Sequence, residues 1–150
     1  MSVPFPYFYC RHCREKILFP FPTRKETGQH QTRLPKDTWQ AYVLCSHCEQ
    51  TSLYKAADVQ LERPLRTEDR AVHYPLARPD DYFYRVEHKC GWTNCGLPHV
   101  LFVHSTTYLT ENTVVEKARY AMPSPECANG HPCDSSCTLV KVREVFSLLL

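Results

Sequence analysis

Two Cys-x-x-Cys pairs, Cys10-Arg11-His12-Cys13 and Cys45-Ser46-His47-Cys48, stand with thirty-one residues between them. A two-residue gap lets the chain turn tightly enough for both sulfurs of a pair to face one ion. Two such turns complete the tetrahedron of thiolates that structural zinc prefers. The first part of the chain is therefore read as closing around one four-cysteine zinc site. Four thiolates fill the coordination sphere and leave no position for a zinc-bound water, so the site is read as structural. A redox dithiol would instead place one Cys-x-x-Cys at a helix start, where the N-terminal dipole lowers a thiol pKa. Here both pairs sit between β-like runs.

An echo follows at the same interval. Cys90 and Cys95 frame a four-residue turn, thirty-one residues again separate Cys95 from Cys127, and His131 and Cys133 are close behind. Each knuckle leads into a short apolar run, Ile17-Leu18-Phe19 in the first case and Val100-Leu101-Phe102-Val103 in the second. We read this as a degenerate internal repeat. Six residues compete for its four ligand places: Cys90, Cys95, Cys127, His131, Cys133 and Cys137. Cys90, Cys95 and Cys127 follow from the repeat. His131 is preferred as the fourth ligand, because Cys127-Ala128-Asn129-Gly130-His131 keeps a knuckle-like spacing with glycine at the turn, and Cys133 is the alternative. Two zinc ions are expected per chain. His12, His30, His73, His88, His99 and His104 are scattered and are assigned no ligand role.

The chain of 150 residues is one ordinary domain or two small ones, and units below about 80 residues rarely bury enough apolar surface to fold unaided. Zinc binding, at roughly 10 kcal/mol or more in small metallodomains, supplies such a shortfall. Nine cysteines would also suit a secreted disulfide scaffold, but the start of the sequence lacks the pattern of a secretory signal, and an odd count leaves a thiol unpaired. A reducing cytoplasm is the expected setting. No apolar run approaches the ~20 residues of a membrane helix, so no membrane association is expected.

Along the chain, the prolines in residues 3–9 and 17–22 restrict those segments to sheet edges. Residues 23–37 read as a long exposed loop, Trp39 to Leu44 as a strand delivering Cys45, and Ser52 to Leu61 as a continuation of the sheet. Three prolines and eight charged side chains mark 63–81 as a linker. Tyr82, Tyr84 and Val86 alternate with Arg85, Glu87 and Lys89, which predicts a half-buried strand running into Cys90. Val100 to Thr107 and Val114 to Met122 read as two further strands separated by a turn. Val142, Val145, Phe146 and Leu149 fall at helical spacing and predict a short C-terminal helix, with a terminal strand over Thr138 to Val142 as the alternative.

With these residues in view, the first fifty positions resemble the zinc-ribbon superfamily, in which two Cys-x-x-Cys knuckles cap a small antiparallel sheet. The whole chain resembles a tandem double zinc ribbon. The expected fold is small, mainly β and metal-stabilised: unit 1 over 1–62, a linker over 63–81, and unit 2 with its tail over 82–150. The resemblance implies a scaffold but no single function, because zinc ribbons serve transcription, translation and assembly machines alike.

Several function classes are weakened by the residues themselves. Only four glycines are present and no Gly-rich phosphate loop. His47-Cys48-Glu49 with Pro132-Cys133 and Cys137 imitates a zinc deaminase signature. The copy fails, because its cysteines are spaced by three and His47 belongs to a better-explained knuckle. A non-enzymatic adaptor binding a protein partner is the leading expectation, and an enzyme using a spare thiol such as Cys137 is the weakest. Nucleic-acid binding is the second, through Arg24, Lys25, Arg33 and Lys36. The first fifty residues carry seven Lys/Arg against four Asp/Glu, a mild excess compared with the clustered basic face of dedicated nucleic-acid modules.

Overall fold

The computed structural model describes residues 6–18, 24–26, 29–31, 37–61 and 81–145. The architecture is mainly β. A three-stranded antiparallel sheet has the order β2-β1-β7, built from β1 (Pro6–Tyr9), β2 (Lys16–Leu18) and β7 (Gln60–Leu61). A five-stranded sheet has the order β10-β8-β9-β5-β6, built from β5 (Gln40–Leu44), β6 (Thr51–Lys55), β8 (Tyr82–Lys89), β9 (Pro98–Ser105) and β10 (Thr138–Val145). A short hairpin joins β3 (Arg24–Glu26) to β4 (Gln29–Gln31), and an α-helix, α1, covers Glu111–Arg119.

Strands from both expected units lie in one sheet. β5 of the first half pairs in parallel with β9 of the second, with Tyr42 opposite Leu101 and Leu44 opposite Val103. All other strand pairs are antiparallel. The parallel pairing fixes where the knuckles fall. Cys45 leaves β5 at the Ser105 end of β9, whereas Cys90 leaves β8 at the opposite, Pro98 end. About 23 Å of strand, the rise from Pro98 to Ser105 at ~3.3 Å per residue, therefore separates the two ends.

Both faces of the large sheet are covered, which is why its strands bury consecutive rather than alternate residues. On one face Ala41, Val43, Tyr54, Phe83, Phe102 and Val145 pack with Phe8, Cys10 and Ile17 of the small sheet. On the other, Leu44, Tyr84, Val86, Leu101 and Val103 pack with Val114 of α1 and Ala121 just after it. β8 is thus more than half-buried: Phe83, on the face that carries its charged residues further along, is fully enclosed.

The structure departs from the expected elements in four places. β1 is the middle strand of its sheet, and Pro6 is tolerated because it sits at the first residue, where the missing N–H breaks little of the ladder. The expected loop over 23–37 contains the β3–β4 hairpin. The expected strand from Val114 is helix α1: the Thr110 side chain caps it by accepting the Thr113 N–H at 3.4 Å, Glu111 lies in the first turn, and Lys117 and Arg119 complement the dipole in the last. Val114, Ala118 and Ala121 had the helical spacing, but the β-branched residues masked it. Finally, the alternative for the tail holds and the C-terminal helix is absent through Val145, because Thr138–Val145 pairs with β8 as a strand. Val142 and Val145 face opposite cores. Phe146 and Leu149 lie outside the described residues, as does the expected linker apart from Asp81.

Candidate metal centres

Two knuckles of the same construction frame the first centre. In one, the Cys10 N–H donates to the Glu15 carbonyl at 2.9 Å and the Arg14 N–H to the Cys10 carbonyl at 3.0 Å. In the other, the Cys45 N–H donates to Gln50 at 3.1 Å and Glu49 to Cys45 at 3.0 Å. Arg14 and Glu49 close these turns in the left-handed region, at φ 65° and 58°. The backbone amides of His12 and His47 point at the Cys10 and Cys45 sulfurs, each at 3.4 Å, and so favour thiolate. His12 and His47 are exposed, while Cys10 and Cys45 are buried.

The four sulfurs converge. Cys10 Sγ lies 3.5 Å from Cys48 Sγ, and Cys13 Sγ lies 3.7 Å from Cys45 Sγ. A tetrahedral zinc with Zn–S bonds of ~2.3 Å spaces its sulfurs by about 3.8 Å, so the donor set fits the ion. The thiols are free rather than bridged. Burial opposes ionisation of Cys10, but the amides of Cys13 and His12 and the neighbouring thiols outweigh it and lower its pKa to about 7. Burial pushes the Cys45 thiol up, so the protons leave this cluster in sequence rather than together.

The second centre is assembled from three segments. The Cys90 N–H donates to Leu97 at 2.9 Å and Cys95 N–H to Trp92 at 3.1 Å, closing the longer knuckle between β8 and β9. The loop before β10 turns through Gly130 at φ 79°, a conformation that favours glycine, and brings His131 back to Cys127. The ligand atoms of Cys90, Cys95, Cys127 and His131 all lie within 4.8 Å of one another. Cys95 Sγ is 3.8 Å from Cys127 Sγ, and Cys90 Sγ is 3.7 Å from His131 Nδ1, again the spacing of a tetrahedral zinc. The Trp92 ring stacks on the His131 imidazole, 4.5 Å between centroids and 7° between planes, and holds its orientation. The Leu97 amide, with His131 and Asn129, lowers the Cys95 pKa to about 6.

Cys133, the alternative fourth ligand, is not one of these four; it sits beside Cys137. Two histidines that the sequence left without a role are among the most buried side chains in the protein. His99 belongs to a second cluster with Cys90 and Cys137. His104 Nδ1 meets Ser46 Oγ inside the second knuckle, and its Nε2 lies 3.0 Å from Asp81 Oδ2, though poorly aligned for a hydrogen bond. Neither was within reach of a local reading: His99 meets Cys90 and Cys137 from other segments, and the His104–Ser46 contact depends on the parallel strand pair. Of the four cations expected to touch nucleic acid, Arg24 and Lys25 are on β3, and Arg33 and Lys36 lie outside the described residues.

Mainly β segments carrying two convergent Cys/His sets define a protein compatible with zinc-ribbon-like units. Comparisons with known protein families, with curated proteins and with solved structures find no match. Among the described residues, no helix is long and apolar enough to cross a membrane.

Proposed function

We propose that this protein is a zinc-held, non-enzymatic adaptor that binds a protein partner along its sheet edge. The observation that carries the reading is the closure of both donor sets at tetrahedral spacing. Four protein ligands leave no position for a metal-bound water, so the ions hold the fold rather than act on a substrate. The partner surface follows from topology. β10 ends the five-stranded sheet and, among the described residues, pairs only with β8, which leaves its outer row of backbone donors and acceptors available to an extended segment. Leu139 and Val140 on this strand are exposed, at 45% and 56%, although both are apolar.

A photo-crosslinking residue at Val140, compared with one at exposed His12, tests the surface. A protein crosslinked from 140 and not from 12, and lost when Lys141→Pro blocks strand addition, is the expected result. Affinity for nucleic acid that falls steeply with salt, in place of such a partner, would instead favour contacts from the basic hairpin. Elemental analysis tests the metal, and iron or no metal in folded protein would sink the scaffold reading.

A further inference from the structure

Cys133 and Cys137 are left over by the two four-ligand sets, yet they lie against the second set rather than apart from it. The Cys90 and Cys137 sulfurs and a ring nitrogen of His99 are all within 4.8 Å of one another, and Cys133 neighbours Cys137 just outside that set. We propose that Cys90 bridges two zinc ions, one completed by Cys95, Cys127 and His131 and the other by His99, Cys137 and, after its side chain turns inward, Cys133. This deepens the scaffold reading and rests on the second set holding zinc.

The imidazole of His99 carries the argument. It projects from β9 and is fully buried. Its Nδ1 lies 3.0 Å from the Pro125 carbonyl oxygen. A carbonyl can only accept, so Nδ1 bears the ring proton and Nε2 presents a bare lone pair. Among the described residues, that Nε2 has no hydrogen-bond partner. An unsatisfied buried acceptor is costly, and a metal ion is the partner that two adjacent thiols would hold there. Donation of the second ring N–H to a backbone carbonyl is also how ligating histidines are characteristically fixed.

The backbone around the cluster is arranged for close approach. The same Pro125 carbonyl that accepts from His99 accepts the Cys133 N–H at 3.2 Å, so one group positions two of the ligands. Asp134 accepts the Ser136 amide at 2.9 Å through its carboxylate and the Cys137 amide at 3.1 Å through its carbonyl, which folds the loop back on itself. That loop then lies directly on the Cys90 knuckle. A Cβ on Gly91 would collide with the carbonyl and hydroxyl of Ser136, so glycine beside Cys90 is what lets Cys137 reach it.

Charge and valence balance. A thiolate sulfur has three lone pairs, so Cys90 can bind two ions and each ion still has four ligands, at a separation below about 4.6 Å, twice the ~2.3 Å Zn–S bond. Five thiolates with two divalent ions sum to one negative charge, the same as three thiolates with one ion. The second zinc thus recruits Cys133 and Cys137 without adding net charge to a partly buried site. Each thiol gives its proton to solvent, and no electron is transferred.

The full chain, purified under reducing conditions, is analysed for zinc by native and elemental mass spectrometry. Three zinc ions per chain are expected. Two would overturn the bridge and leave the scaffold reading standing, whereas one or none would overturn both. Cys137→Ser and Gly91→Ala should each bind two, and a folded variant that still binds three overturns the proposal. Should either variant fail to fold, wild-type protein exchanged with cadmium-113 decides: two resonances coupled through the shared sulfur are expected, and uncoupled resonances reject the bridge.

Discussion

Ser46 Oγ lies 3.0 Å from His104 Nδ1, and this contact ties the second knuckle of the first metal centre to the interior of the shared sheet. The Ser46 amide points at the same nitrogen at 3.5 Å, and an amide can only donate, so Nδ1 is the acceptor and Nε2 carries the proton facing Asp81. His104→Ala removes a buried ring and takes the nitrogen acceptor away from the Ser46 hydroxyl and amide. The expected cost is about 2–4 kcal/mol, read from the urea midpoint. Zinc should also leave the first centre faster to a chelator. Unchanged release from that centre would mean that the contact is packing alone.

Cys45→Ser should destabilise the protein far more than His47→Ala. One change removes a sulfur from the convergent four-cysteine set, and the other trims an exposed knuckle side chain. Thermal melts with zinc counts on both variants provide the comparison, and equal losses would refute the ligand assignment.

Thr110→Ala should cost about 1 kcal/mol, the usual worth of a helix N-cap, because the Thr113 amide loses its acceptor. Thr110→Asp should restore it. A melt insensitive to both changes would show that α1 is held by the packing of Val114 on the sheet and not by its cap.

The Tyr84 hydroxyl accepts the Leu109 N–H at 2.8 Å. Burial, with the Glu144 carboxylate and neighbouring tyrosines, raises this phenol above its ordinary pKa of 10.0 despite that hydrogen bond. A raised folded-state value means the unfolded chain loses this proton first as pH rises. The associated stability is present below pH ~10 and declines above it. Tyr84→Phe should cost about 1 kcal/mol at neutral pH and flatten part of the alkaline decline. Parallel curves for the two proteins between pH 9 and 11 would contradict this.

The first metal centre was legible in the sequence because its geometry is local. A Cys-x-x-Cys turn fixes two sulfurs within a few residues, and the same backbone hydrogen bonds then recur at Cys10 and Cys45. The set at Cys90, Cys95, Cys127 and His131 was legible for a related reason, since Gly130 sets the turn that returns His131 to Cys127. The parallel β5–β9 pairing was not legible. Nothing within either strand specifies a partner in the other half of the chain; the pairing arises because both strands bury residues on both faces and need neighbours on each side. That long-range choice placed the two knuckle ends at opposite ends of one sheet and carried His104 to Ser46. The helical reading of the tail failed for the same physical reason, and its strand alternative held: Val142 and Val145 share a side at helical spacing, but the free edge of β8 claimed the segment as a strand. Ligand chemistry is thus written in short spacings, whereas the positions of His99, His104 and Cys137 relative to it depend on which distant strands and loops meet.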